Sequence, residues 1–265
     1  MRIIVCVKQV PDPEVVQYRV DSSSKRLVRE GVEVVLDPGD GVALEAALQL
    51  AEAVGDSTLT VVSMGPERAA EAVRRALAMG VALGASAGVL ITDPALAGSD
   101  ARGTAKALAA AIRMREFDLV FCATESTDGY TGMTPGMLAE MLNIPHLSFV
   151  RTLECNGRSV TVRRVTERGY QVLEADLPAL VTIASGSFEP RYPPLRGLMA
   201  AKRLQLETLD VAALGLDPED VGTAGARERV VELQSAEARA AGQVVPDDGE
   251  GAARIADLLA RVGAL

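Results

Sequence analysis

The chain has 265 residues, of which 48% are hydrophobic but only 3% aromatic, and tryptophan is absent. Its core must therefore be built from Val, Leu, Ile and Ala, which suits a parallel sheet covered by Ala-rich helices, as one large domain or one domain with an extension. A net charge of −9 excludes a nucleic-acid binder held by phosphate contacts, and no apolar run is long enough to cross a bilayer.

The first run, RIIVCV (2–7), is a strand from its second residue, which leaves no room for a signal peptide. The runs TLTVVS (58–63), AGVLIT (87–92) and DLVFCA (118–123) are short and β-branched, as strands buried on both faces should be. Between them, 41–54, 67–80 and 101–113 repeat apolar residues at helical spacing. Strands alternating with helices predict βαβ units in a parallel sheet. Cys6, Cys122 and Cys155 are odd in number and widely spaced. Cys6 and Cys122 fall inside apolar runs, so they read as buried free thiols in a reducing, cytoplasmic protein.

The pattern changes at LSFVRTLECNGRSVTVRRV (147–165), where Asn156-Gly157 separates two alternating runs and predicts a hairpin. YQVLEA (170–175) extends this antiparallel section, and ALVTIA (179–184) follows Pro178. Beyond about residue 185 no sheet pattern is visible. The segment EPRYPPLRGLMAAKRL (189–204) comes next, then an Asp/Glu/Ala/Gly-rich stretch and a short amphipathic helix over 251–263. The expected organisation is a Rossmann-like α/β domain over 1–184, with an extended C-terminal arm over 185–265.

In open parallel sheets, ligands bind beyond the carboxyl ends of the strands where strand order reverses. Three loops lead from strand ends into helices. LDPGDG (36–41) precedes a helix from 42 with Asp40 as its cap, and SMGPER (63–68) places Pro66 at a helix start. TESTDGYTGMTPG (124–136) carries five Ser/Thr hydroxyls and two glycines ahead of a helix over 135–142. Such loops are either plain capped connections or, converging on one edge, a phosphate cradle. The spacing fits neither the Walker loop nor GxGxxG. His146 is the sole histidine and reads as structural, and no metal-ligand spacing occurs. These features describe a protein that holds a cofactor and leaves the chemistry to it.

Several stretches together resemble the beta subunit of electron transfer flavoproteins, the FixA-type family, over most of the chain. They are VKQVPDPE (7–14), LDPGDGVALEAALQL (36–50), VVSMGPERAAEAVRRALAMG (61–80), ESTDGYTG (125–132), DLPALVTIASGSFEPRYPPLRGLMAAK (176–202) and ARIADLLARVG (253–263). The resemblance implies a heterodimer with an alpha subunit that holds most of one FAD, and an AMP without redox role in the beta subunit. It implies electron collection from dehydrogenases such as acyl-CoA dehydrogenases and delivery to an ETF-quinone oxidoreductase-type acceptor, with no catalytic residue in this chain.

By motif, the AMP-holding positions correspond to Cys6, Asp37, Pro38, Gly39, Asp40, Ser63 and Met64. The phosphate loop corresponds to Asp128, Gly129, Tyr130, Thr131, Gly132, Met133, Thr134 and Pro135. Partner recognition falls on Arg191, Tyr192, Pro193, Pro194, Leu195 and Met199, with Leu195 the residue that enters an apolar pocket on the dehydrogenase. In the electron-bifurcating branch the same cleft holds a second FAD. That branch reads D-G-D-T-x-Q-V-G, which DGYTGMTP (128–135) fits poorly. The rival class is a free-standing adenine-nucleotide protein. Its adenylating members carry SGGxDS after the first strand, where this chain has VKQVPDPE.

Overall fold

The computed structural model describes residues 1–15, 17–81, 86–234, 242, 244–245 and 248–264. It divides into two compact units, Met1–Arg229 and Val230–Leu265. In chain order the first unit begins with β1 (Arg2–Cys6), β2 (Gln9–Pro11), β3 (Val20–Asp21), β4 (Arg26–Leu27), β5 (Val34–Leu36) and α1 (Pro38–Val54). It continues through β6 (Thr58–Met64), α2 (Ala70–Gly80), β7 (Ser86–Ile91), α3 (Ala101–Arg113), β8 (Leu119–Ala123) and α4 (Thr134–Leu142). The antiparallel strands β9 (His146–Cys155), β10 (Ser159–Thr166) and β11 (Gly169–Asp176) precede β12 (Ala179–Ile183), α5 (Leu195–Arg203), β13 (Glu207–Leu209) and the four-residue α6 (Gly222–Gly225). In the second unit, α7 spans Gly251–Arg261.

One nine-stranded sheet runs in the order β11-β10-β9-β12-β8-β1-β6-β7-β13. From β9 to β13 neighbouring strands are parallel, and β10 and β11 are antiparallel additions at one edge. This is the α/β, Rossmann-like sheet with a hairpin section that the residue pattern predicts. The chain moves outward from β1 through β6 and β7, then returns to the other side of β1 with β8. The strand order therefore reverses between β1 and β8, and a crevice opens beyond their carboxyl ends.

Both faces of the sheet are covered. One core layer joins Ile3, Val5, Val61 and Phe121 to α1 and α2, and the other joins Ile4, Val62, Val120 and Leu180 to α3 and α4. Alanines on the buried faces of α1 and α3 are fully enclosed, which lets these helices lie close on a sheet with almost no aromatic bulk.

Three local expectations are corrected. The helix placed at 42 with Asp40 as its cap begins at Pro38, capped by Asp37. Proline presets φ at the first helical turn, and the Asp37 carboxylate accepts from the Gly39 N–H. Pro66 precedes a 3-10 turn over Glu67–Ala69 that leads into α2, rather than opening the α-helix itself. Beyond 185, β13 joins the sheet beside β7; three residues are too few for an alternating pattern to register. In the same region, Leu195–Arg203 is helical, which the double proline concealed.

The outer strands leave little space for side chains beneath α2. A Cβ on Gly88 of β7 would lie 2.5 Å from Leu206, 2.8 Å from Leu77 and 2.9 Å from Val73. Overpacking of a filled core costs about 1–3 kcal/mol. Gly88→Ala should lower the free energy of urea unfolding by about that amount; an unchanged midpoint and slope would show that α2 yields without strain.

Candidate functional site

The crevice at the β1–β8 switch point is built around three carboxylates. Asp37, fully enclosed, accepts from Gly39 N at 2.8 Å with one oxygen. With the other it accepts from Thr127 N at 2.8 Å and Thr127 Oγ1 at 3.1 Å. Its own N–H donates to the Lys8 carbonyl at 3.0 Å. One residue thus joins the end of β1, the start of α1 and the loop after β8.

Asp40 lies inside the first turn of α1 and accepts from Lys8 N at 2.7 Å. Burial, then the nearby Asp37 carboxylate, push its pKa well above the usual range; burial also raises that of Asp37. Asp128 behaves in the opposite way. Its side chain has no exposure, and burial opposes ionisation, but the Lys8 and Arg29 charges outweigh that and hold its pKa below the ordinary value. Lys8 Nζ donates to Asp128 Oδ1 at 2.5 Å and to Ser126 Oγ at 3.1 Å. Arg29 Nε and Nη2 donate to Asp128 Oδ2 at 2.9 and 2.7 Å.

Arg29, the second cation on Asp128, has no signal in the sequence: it stands 99 residues from Asp128 and carries no motif. Its main-chain carbonyl is in turn held by Arg68 Nη2 at 2.5 Å, so a connection between β4 and β5 is folded back onto the site.

The remaining positions are distributed around this centre. Cys6 ends β1 and Cys122 stands one residue before the end of β8; a hydrogen bond to Cys6 and burial push the Cys122 thiol well up, so it stays neutral. Ser63, near the carboxyl end of β6, is fully buried, and its hydroxyl has no partner. Met64 follows it, half-buried. Pro38 and Gly39 form the first turn of α1. Gly129 lies beside Ser126 Oγ and Lys8 Nζ. Tyr130, Thr131, Gly132 and Met133 are exposed, whereas Thr134 is half-buried and Pro135 buried in the first turn of α4. No side chain caps that helix, so its leading N–H groups are open to an anion.

A cavity of about 90 Å³ adjoins this loop, lined by Thr124, Glu125, Gly132, Pro135, His146, Ser148, Phe149 and Thr182. A wider open concavity of about 330 Å³ lies over residues 21–30 and shares Arg29 with the crevice. Burial and Arg164 lower the pKa of His146, leaving its imidazole neutral near pH 7. Among the described residues, no group of three or more His, Cys, Asp or Glu is placed to hold a metal ion, and no helix is long and apolar enough to cross a membrane.

A family model for the electron transfer flavoprotein domain matches residues 25–214. The chain belongs to the electron transfer flavoprotein beta-subunit family. It is 39% identical to the electron transfer flavoprotein subunit beta of Thermoanaerobacterium thermosaccharolyticum over 92% of each chain. It is 38% identical to that of Megasphaera elsdenii over 94% of each. At 34% identity over 92% of each it is similar to the caffeyl-CoA reductase-Etf complex subunit CarD of Acetobacterium woodii. Membership implies a flavin-dependent electron carrier formed with an alpha subunit.

The segment expected to serve partner recognition connects β12 to α5. Tyr192, Leu195 and Met199 are 91%, 73% and 54% exposed. Pro194 precedes α5, and Pro193 is half-buried. Arg191 differs from its neighbours, because its guanidinium is engaged with Glu45 and Glu52 of α1.

The buried Asp40 carboxylate gives a signed pH dependence. A carboxyl whose folded pKa is raised contributes stability below its unfolded value, and that contribution is lost as pH rises through the folded pKa. Asp40→Asn removes this titration. The stability of the natural chain minus that of Asp40→Asn should therefore fall as pH rises above about 4. Urea unfolding across pH 4–8 measures it, and parallel curves for the two proteins would disprove the assignment.

Proposed function

We propose that this chain is the beta subunit of a cytoplasmic electron carrier rather than an enzyme, with AMP in the crevice beyond β1 and β8. FAD lies mainly in the alpha subunit. Electrons come from dehydrogenases such as acyl-CoA dehydrogenases and pass to a quinone-oxidoreductase-type acceptor. Residues 185–265 supply the dehydrogenase-docking segment and an arm that covers the alpha subunit. The apolar positions Ile255, Leu258 and Leu259 of α7, and Val262 after it, support that role by being exposed within their own unit.

The observation that carries the nucleotide reading is the orphaned Ser63 hydroxyl. A buried polar group without a partner costs about 1–3 kcal/mol, and a ribose or base edge would satisfy it. The other groups fit an adenine mononucleotide as well. Backbone N–H groups at the start of α4 suit a phosphate, and Lys8 with Arg29 brings two cations to Asp128 beside it. FAD, when bound, supplies the redox chemistry. This chain's residues bind, orient and shield.

A second reading places another FAD in the same crevice, as in electron-bifurcating members of the family. The likeness to a subunit of the caffeyl-CoA reductase-Etf complex favours it. The loop DGYTGMTP (128–135) departs from the D-G-D-T-x-Q-V-G pattern of that branch, which favours AMP.

Co-expression with the alpha subunit, purification and denaturation decide between them. One FAD and one AMP per heterodimer are expected. Two FADs would replace the AMP reading, and a stable, colourless, ATP-hydrolysing monomer would remove the carrier reading altogether.

The docking segment gives a kinetic prediction. Burying one leucine contributes about 1.5–3 kcal/mol, a factor of about 10–150 in affinity. Leu195→Ala should raise the dehydrogenase concentration for half-maximal electron uptake within that range, with flavin content and heterodimer unchanged. Unaltered transfer kinetics at limiting dehydrogenase would refute the role.

A further inference from the structure

Glu45 stands in the middle of α1 with its side chain only 3% exposed, a position a carboxylate occupies at a cost unless it is paired and hydrogen-bonded. The partner is Arg191, and the contact is two-pronged. Nε donates to Oε2 at 2.8 Å and Nη2 to Oε1 at 2.9 Å. The backbone N–H of Arg191 also donates to Oε2, at 3.1 Å, so the main chain is fixed along with the side chain. Gln49 Nε2 donates to Oε1 at 2.9 Å. Glu52, two turns after Glu45, accepts from Nη1 at 2.5 Å and Nη2 at 3.2 Å.

Leu195 follows this pinned residue after Tyr192, Pro193 and Pro194. Each proline fixes its own φ, and the residue before a proline is driven to extended backbone. Few free rotations therefore separate the Arg191 amide from Leu195. The far side of the segment is fastened independently. A Cβ on Gly197 would lie 2.2 Å from the Ala78 carbonyl oxygen, so α5 lies against the carboxyl end of α2. Arg74 Nη1 donates to the carbonyls of Ala201 at 2.7 Å and Leu204 at 2.8 Å, closing the last turn of α5. Between the two attachments, Tyr192, Leu195 and Met199 face water.

We propose that Glu45 and Arg191 are positioning residues that preset Leu195 for docking, acting through the backbone rather than by touching the dehydrogenase. The proposal rests on the reading of Leu195 as the docking residue given above. An arginine that steered an acidic partner would keep its charge in water. Here both edges of the guanidinium are committed to the chain's own carboxylates. Presetting lowers the ordering cost of association, which would otherwise weaken an encounter carried by a single leucine.

The test uses the alpha–beta heterodimer with Arg191→Gln and, separately, Glu45→Gln, which keeps side-chain volume if the arginine variant fails to fold. Each is made with and without Leu195→Ala. Amide hydrogen exchange over 195–199 and electron uptake from an acyl-CoA dehydrogenase reduced by its acyl-CoA are measured. Both variants should speed exchange over 195–199 while protection in β1 and β8 is unchanged. Half-saturating dehydrogenase should rise about 3- to 10-fold with the limiting rate unaltered. In the Leu195→Ala background the rise should vanish, since residues that act as one unit are not additive.

Unchanged exchange, a fall in the limiting rate, or the same rise without Leu195 would each overturn the proposal. Should Leu195→Ala alone leave uptake unaltered, the docking reading fails instead, and the exchange result still decides whether the clamp orders the segment.

Discussion

Asp37 accepts hydrogen bonds from Gly39 and Thr127 and donates its own N–H to the Lys8 carbonyl, and the geometry of the crevice follows from that one junction. A parallel sheet buried on both faces ends in loops whose backbone groups have no ladder to complete. At the switch point two such loops diverge from neighbouring strands, and something must hold them at a fixed separation. A neutral cap would close the first turn of α1 but would satisfy fewer donors. A carboxylate has enough lone pairs to close that turn and still grip the loop after β8. The penalty is a buried charge, visible as the raised pKa of Asp37. Asp40 adds a second raised carboxyl beside it, and the Lys8–Asp128–Arg29 group brings cations to the same region.

This distribution of charge suits a holding role. Perturbed carboxyls in a crevice often mark acid–base catalysis, but here each has a structural donor set, and the Cys122 thiol beside them stays protonated. Among the described residues that line the crevice, the groups without a partner include the neutral Ser63 hydroxyl and the uncapped start of α4. Those are groups that complement a ligand without attacking it. The same helix that begins at the crevice carries Glu45 and Glu52 further along, so α1 meets the crevice loops at one end and holds Arg191 on its flank.

Much of this was legible in the residue order where the signal is local. The α3 boundaries, the hairpin at Asn156-Gly157 and the four central strands follow from periodicity and turn chemistry over a few residues. The start of α1 was misplaced because two aspartates compete for the cap. Asp37 followed by Pro38 was the stronger signal, since proline fits the first helical turn. Arg29 and the Arg191–Glu45 pairing could not be read at all. Each depends on side chains separated by about a hundred residues or more, brought together only when the sheet forms. β13 escaped for a different reason: its three residues are held by an existing edge, so pairing rather than pattern makes it a strand.

The docking role proposed for Leu195 places a constraint on everything that supports it. A carrier must release each partner quickly, so its contact has to be small, and a single buried leucine supplies a modest affinity by itself. A small contact is also the one most easily cancelled by the entropy of ordering a loop, which runs to about 0.5–1.5 kcal/mol for each immobilised side chain. Enlarging the apolar patch would offset that loss but slow release, since affinity differences reside mainly in dissociation rates. Ordering the segment before the encounter avoids the conflict, because it removes the entropic loss without adding contact area. Two prolines, the Glu45–Arg191 pair and the Arg74 closure of α5 all act in that direction. A buried ion pair is a poor way to gain stability, but it is a good way to hold one main-chain amide in one place.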